Sequence, residues 1–378
     1  MNPVLAGMQI YPFLRLTEAK QAAAARGVSV IDFGVGEPRE ETPAFIRRAL
    51  AAALDAEPVS TYPSSDGLPE LREAIAAWVQ RRFGAALDPD TAVLPTMGSK
   101  EAIFHLAQVV AARGDRVAVT TPGYPVPVRG ALFAGAEIVE IDLEPARGWQ
   151  PDLETVDWDG VALLWLNFPN NPTAATAPFA LYEQAAALAR AHGFVLAVDE
   201  AYSELWFDGD APQSALQVAD HTNLLVLNTL SKRSSMPGYR SGFAAGDPEL
   251  IAALKRYRPN VGVAPQTFVQ RAAVAAWGDE EHVVEVRERY RAKRDVLLPA
   301  LLAAGLRPSG GDASFFMWMR IPDGEDAEAF ALRLLDERGI TFAPGPFFGS
   351  GGAGHVRIAL VPTLADCRRA AQLLASGP

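Results

Sequence analysis

The feature that most constrains this chain is an alternation along its middle two-thirds. Short apolar runs of strand length recur at 92–94, 116–119, 137–141, 161–166, 195–198 and 224–227. Stretches with helical spacing lie between several of them, for example 100–112 and 179–192. Strand, helix, strand in succession predicts βαβ units and a mostly parallel sheet. Most of these runs are apolar almost throughout, which suits a sheet covered on both faces. The fold class is therefore α/β.

The last third has a different grammar. Residues 279–304 carry apolar positions at helical spacing among many charges, which predicts one long helix. Strand-like runs follow at 314–319 and 355–360, with helical patterns at 326–338 and 364–375. Thr363, three residues before Asp366, reads as a helix N-cap. A smaller α+β domain is expected here, and no Pro/Gly-rich linker precedes it. The expected division is a large domain over 35–275, with 1–34 and 276–378 in the small one.

Composition then excludes classes. The 378 residues are 49% hydrophobic and 21% charged, which removes disorder, collagen and coiled coil as the main theme. The formal net charge is -11, a poor basis for holding nucleic acid on a broad basic face. A single cysteine, Cys367, excludes an intrachain disulfide and a cysteine-based zinc site. No apolar run approaches the roughly 18 residues that would span a bilayer, and the N-terminal residues lack a secretory pattern. A cytoplasmic protein with no membrane partner is the expectation. Lysine occurs only at 20, 100, 232, 255 and 293, with arginine supplying the remaining positive charge.

Five segments carry chemistry. In Asn228 to Gly242, Thr229, Ser231, Lys232 and Arg240 follow an apolar strand. Ligands of open α/β sheets sit past such strand ends, and hydroxyls with arginine suit a phosphate. A desolvated lysine beside positive charge can serve as an amine nucleophile. In Val195 to Tyr202 an apolar strand ends at Asp199, with Tyr202 three residues on. That carboxylate can hold a ring nitrogen protonated; taken alone it reads first as a helix cap. Asn167 to Thr173 is a turn offering the amide of Asn171. Thr96 to Glu101 passes from strand to helix through Gly98, Ser99 and Lys100, where free backbone N–H groups can hold an anion. Thr121 to Pro125 is a turn presenting Tyr124.

Together these segments resemble the fold-type-I pyridoxal-phosphate enzymes, specifically the class I/II aminotransferases. The ordered set Gly-Ser-Lys at 98–100, Pro-Gly-Tyr at 122–124, Asn-Pro-Thr at 171–173, Asp-x-x-Tyr at 199–202, Ser-Lys at 231–232 and Val-Arg-Ile at 356–358 carries the likeness from about Asp32 to Thr363. The resemblance implies a seven-stranded, mostly parallel sheet in the large domain and pyridoxal 5'-phosphate as cofactor. It implies that Lys232 bonds the cofactor and shuttles a proton at the substrate Cα, while Asp199 pairs with the pyridine nitrogen. Asn171 and Tyr202 would hydrogen-bond the ring oxygen, and Tyr124 would stack on the ring. Gly98, Ser99, the backbone near Lys100, Thr229 or Ser231, and Arg240 would hold the phosphate. Arg357 would fork onto the substrate α-carboxylate, a bidentate geometry that favours arginine over lysine, and Gly36 would let the backbone approach the substrate. Tyr62 would reach the neighbouring subunit's phosphate, which implies a homodimer. One departure is Ala174, where the family's motif usually continues with glycine. The other four lysines then read as surface or backbone-positioning residues.

Four local phrases, Pro12 to Lys20, Leu94 to Glu101, Leu230 to Arg240 and Gly354 to Leu360, are similar to the actinobacterial type of N-succinyldiaminopimelate aminotransferase. That resemblance implies glutamate and N-succinyl-2-amino-6-oxopimelate as substrates, with Arg15, Lys20 and Arg39 as candidates for the distal carboxylates. Aspartate, aromatic and LL-diaminopimelate aminotransferases, and carbon–sulfur lyases, share the same core residues. A cofactor-sensing transcription regulator, which would add an N-terminal DNA-binding domain before Asp32, is not the expectation.

Overall fold

The computed structural model describes residues 1–7, 12–59 and 61–375. The side chains of Pro12 and Phe13, which open one of the four phrases above, lie outside the described set. The central sheet runs in the order Val93–Thr96, Gly242–Gly246, Leu224–Thr229, Val195–Asp199, Val161–Asn167, Arg116–Thr121, Glu137–Glu144, Gln150–Pro151. The five strands from Leu224–Thr229 to Glu137–Glu144 are parallel to their neighbours. Gly242–Gly246 is antiparallel to both of its neighbours, and the two-residue Gln150–Pro151 edge is antiparallel to Glu137–Glu144. Thus seven full strands make the sheet, with a short eighth at its edge. The Gly242–Gly246 strand, Gly-Phe-Ala-Ala-Gly, has no β-branched residue to announce it.

Period-two side-chain alternation explains why both faces are apolar. In Val195–Asp199, Leu196 and Val198 join one buried cluster and Val195 and Ala197 the other. The first cluster includes residues of helices Pro69–Phe83, Phe179–His192 and Thr267–Gly278. The second draws on Ser99–Val110, Val126–Ala134 and Pro248–Tyr257. Each fully buried Leu or Val side chain contributes about 1.5–3 kcal/mol. Apolarity stops at one edge: the five parallel strands end in Thr121, Glu144, Asn167, Asp199 and Thr229. Polar groups therefore collect at the carboxyl ends of the strands.

A four-stranded antiparallel sheet runs Arg307–Pro308, Phe316–Arg320, His355–Ala359, Ala343–Pro344. Ile31–Asp32 pairs in parallel with Ile340–Thr341, so the N-terminal segment binds the C-terminal third of the chain. Helix Glu281–Ala303 is single and long, as the spacing predicts, and Thr363 caps helix Leu364–Ala375 by accepting from the Asp366 N–H at 3.0 Å. Among the described residues, no helix is long and apolar enough to cross a membrane. Lys293 corrects one expectation: it is buried in this helix, 2% exposed, and bonded to Glu40.

Candidate active site

A cavity of about 510 Å³ opens at the polar strand ends, between the main sheet and the smaller sheet. It is lined by Gly36, Ser99, Lys100, Tyr124, Asn171, Asp199, Tyr202, Thr229, Ser231, Lys232, Arg240 and Arg357. Of the cofactor and α-carboxylate residues selected from sequence, Gly98 and Tyr62 lie outside its lining. Gly98 stands directly behind it. Its φ is +71°, and a Cβ there would come within 2.6 Å of Arg240 Nη2. Backbone conformation thus favours glycine, and a Cβ would also displace the Arg240 guanidinium. Tyr62 is fully exposed.

Lys232 sits in the four-residue helix Leu230–Arg233, just past the strand Leu224–Thr229. Its Nζ donates to the Gly36 carbonyl at 2.9 Å and lies 5.4 Å from the centre of the Phe315 ring. Burial pulls its ammonium down to about 8; Arg357 and Arg240 push the same way, and Glu37 and Asp199 oppose them. A free amine is therefore accessible close to neutral pH.

Asp199 ends its strand buried, its Oδ1 accepting from the Ala201 N–H at 3.1 Å. Burial raises its carboxyl to about 7, although that hydrogen bond and Lys232 lower it. Asp199 forms no ion pair among the described residues, so a cationic partner would relieve an expensive buried charge. The protonated nitrogen of a pyridine ring fits that need. Neighbouring Glu200 is raised to about 8 by burial, against its hydrogen bond from the Ala215 N–H. Burial also pushes the Tyr202 phenol well above its usual range.

One end of the cavity suits a phosphate. Thr229 Oγ1 accepts from the Ser231 N–H at 3.1 Å and lies 2.9 Å from Ser231 Oγ. Arg240 is fixed by donating to the carbonyls of Pro237 at 3.0 Å and Met97 at 3.1 Å. The N-terminus of helix Ser99–Val110 opens onto the same end, where backbone N–H groups favour an anion. The Lys100 ammonium is lowered by burial, then by Arg129 and Arg240.

The opposite end suits a carboxylate. Arg357 is buried on strand His355–Ala359 between the rings of Phe316 and Phe348, at 4.3 Å and 4.6 Å. Its Nη1 donates to Asn171 Oδ1 and its Nη2 to the Gly34 carbonyl, both at 2.8 Å. Asn171 is itself set by donating its backbone N–H to Asn167 Oδ1 at 2.8 Å. A Cβ on Gly36 would meet Phe316 at 2.8 Å, so only glycine passes between ring and cavity.

The structure adds residues that sequence reading did not select. Asn167, Glu37, Phe316 and Phe348 all line the cavity. Asn167 carried a signal, being the polar end of an apolar strand, whereas Phe316 and Phe348 are indistinguishable in sequence from core residues. The three cations proposed for a distal carboxylate do not line it. Lys20 and Arg39 pair with Asp32 at 2.7 Å and 3.3 Å, and Arg15 pairs with Glu328 at 3.4 Å.

Known proteins are similar to this chain over nearly its whole length. The aminotransferase class I and II family profile matches residues 28–374. An LL-diaminopimelate aminotransferase of Nitratidesulfovibrio vulgaris is 38% identical over 363 residues, 94% of this chain and 93% of that protein. A solved aminotransferase from Neisseria meningitidis has a TM-score of 0.91 at 37% identity, covering 99% of both chains. A solved structure of a probable N-succinyldiaminopimelate aminotransferase from Thermus thermophilus has a TM-score of 0.89 at 34% identity, covering 96% of this chain and 99% of that one. Enzymes of this family act on amino acids and 2-oxo acids and are typically dimeric. The chain belongs to the class I and II aminotransferases, pyridoxal-phosphate-dependent transaminases of fold type I.

Proposed function

We propose that the chain exchanges an amino group between glutamate/2-oxoglutarate and an amino acid of the diaminopimelate class. The carrying observation is the line-up in one cavity of a phosphate cradle, the Lys232 amine and the Arg357 fork. When bound, pyridoxal phosphate supplies a ring that withdraws electrons from the substrate Cα. Asp199, a carboxylate costly to ionise alone, keeps the ring nitrogen protonated. Asn171 and Tyr202 would hydrogen-bond the ring oxygen, and Tyr124 would stack on the ring. Ser99, the backbone of Gly98 to Lys100, Thr229, Ser231 and Arg240 bind the phosphate. Lys232 would hold the cofactor and, once released, would carry the proton between the substrate Cα and the cofactor C4′. Arg357 orients the α-carboxylate, with Gly36 leaving space. In a homodimer, exposed Tyr62 completes the partner's phosphate site. The division into 35–275, and 1–34 with 276–378, belongs to the same reading, supported by the pairing of Ile31–Asp32 with Ile340–Thr341.

For the substrate, N-succinyl-LL-2,6-diaminopimelate is the first reading, making the enzyme a succinyldiaminopimelate transaminase. It rests on the local phrases and on the Thermus thermophilus structure. Free LL-diaminopimelate is the second. It is favoured by the Nitratidesulfovibrio relative and by Glu37, a carboxylate on the cavity wall suited to a distal ammonium. Initial rates with 2-oxoglutarate and a panel of donors decide between them. The first reading expects kcat/KM for the N-succinyl compound to exceed the free diamino acid by at least about tenfold. The reverse order selects the second, and a preference for aspartate or an aromatic donor removes both.

A further inference from the structure

The helix carrying Lys232 is only four residues long, and its two ends are held by different parts of the molecule. On the cavity side, Ser231 bonds Thr229. On the far side, the two residues after the lysine reach a helix junction. Helix Thr267–Gly278 ends there and helix Glu281–Ala303 begins, with Asp279 and Glu280 between them.

Arg233 is 1% exposed. Its Nη1 donates to the Ala276 carbonyl at 2.7 Å, and its Nη2 to the Asp279 carbonyl at 3.2 Å and Glu280 Oε1 at 2.7 Å. The last carbonyls of a helix have no partner within it, so this guanidinium caps the first helix and binds the joint. Trp78 and Trp277 flank it, with ring centres 5.5 Å and 4.9 Å from its central carbon.

Ser234 makes a second connection. Its Oγ lies 2.8 Å from His282 Nε2, and His282 Nδ1 lies 2.6 Å from Asp279 Oδ1. An ionised carboxylate only accepts, so Nδ1 carries the hydrogen. A neutral ring then accepts the Ser234 hydroxyl at Nε2. The next residue, Ser235, accepts at its carbonyl from Thr42 Oγ1 at 2.6 Å. Thr42 follows the stretch whose Gly36 carbonyl accepts from Lys232. Arg233, Ser234, Ser235, Thr42, Asp279, Glu280 and His282 all lie outside the cavity lining.

We propose that Arg233 and Ser234, through His282, Asp279 and Glu280, are positioning residues that tie the placement of Lys232 to the joint between the two helices. A shift at the joint then moves the lysine's short helix, because two consecutive buried side chains anchor that helix to it. The proposal rests on Lys232 being the cofactor lysine.

The test uses cofactor-loaded enzyme and the variants Ser234→Ala and Glu280→Gln. Ser234→Ala removes one hydroxyl. Glu280→Gln removes a charge at a side chain that is 46% exposed, so it reads the same couple if the first variant does not fold. Three quantities are measured: the pH midpoint of the visible cofactor band, kcat and KM, and melting temperature. Positioning through the joint predicts a midpoint shift of at least about 0.5 pH unit. It also predicts that kcat and KM change together, by about threefold or more. Folded variants with a lowered melting temperature but an unchanged midpoint and unchanged kinetics overturn the proposal. Lys232→Ala is run beside them. If borohydride still fixes the cofactor to that variant, the lysine assignment itself fails, a result separable from a failed coupling.

Discussion

The two ends of the cavity are built in different ways. At the phosphate and ring end, most of the deciding contacts are local: Thr229 with Ser231 and Asp199 with Ala201 are two residues apart, Asn167 with Asn171 four and Arg240 with Pro237 three, with the Arg240–Met97 bond across 143 residues the exception among those named. At the carboxylate end they are distant: Arg357 bonds Asn171 across 186 residues and Gly34 across 323. A site whose geometry is set by neighbours is pre-formed once the strand ends are in place. One assembled from the chain's two extremes is set only when the smaller sheet and the N-terminal segment are docked. Variants at the first end should therefore alter the cofactor's own spectrum, and variants at the second should alter substrate kinetics alone.

The largest expected effect is at Lys232. Lys232→Ala loses turnover by about 10²–10⁴-fold or more, from loss of the positioned base alone, and borohydride no longer fixes the cofactor to the protein. Normal transamination by that variant removes the lysine from the mechanism. Arg357→Lys comes next. It loses the fork and about 1.5–3 kcal/mol of charged hydrogen bonding, roughly ten- to hundredfold in kcat/KM. The visible cofactor band stays as in the parent. If the band moves as much as the kinetics, the division between the two ends breaks down.

A pH series on cofactor-free protein sharpens the first end further. The Asp199 carboxyl is raised from 3.8 to about 7 by burial, so the folded chain holds a proton that the unfolded chain has already released. More protons bound when folded means that stability from this group is present below about 4 and is lost as pH rises through about 7. Its size is on the order of a few kcal/mol. Glu200, raised to about 8, extends the same slope upward. Thermal melts between pH 5 and 8 should show it, and Asp199→Asn should flatten the Asp199 part. Pyridoxal phosphate, bringing a ring cation, should recover most of the loss at the upper end; melts with cofactor that keep the full slope contradict the pairing.

The smallest effect is at Ala174. Its φ is +59°, a left-handed conformation, and it is fully buried. Glycine there relieves about 1–2 kcal/mol of strain but loses about 0.8 kcal/mol of methyl burial and about 0.5–1 kcal/mol of chain entropy. Ala174→Gly should therefore change unfolding free energy by no more than about 1 kcal/mol. A larger loss by chemical denaturation means that the methyl packs more than the turn strains. Activity should be unaffected, since the turn keeps Asn171 through Asn167.

Much of this protein was legible in its sequence, for a definite reason. Apolar strands that stop at Asn167, Asp199 and Thr229 announce both the parallel sheet and the edge where a ligand lies, because period-two burial and strand-end polarity are properties of short segments. Lys232 could be chosen among five lysines from its own neighbours, Ser231 and Arg240. Other features had no local signal. The strand Gly242–Gly246 has, apart from Phe243, only residues of low strand propensity and exists because it is clasped between two partners. Lys293 reads as one more charge on an exposed helix, yet Glu40, 253 residues away, makes its burial tolerable. Lys20 and Arg39 read as free cations until Asp32 takes both. Sequence determined the fold class and the cofactor class, and singled out Lys232 as the candidate amine. Only the tertiary structure decided which charges face the substrate and which neutralise one another, because that depends on approach between segments hundreds of residues apart.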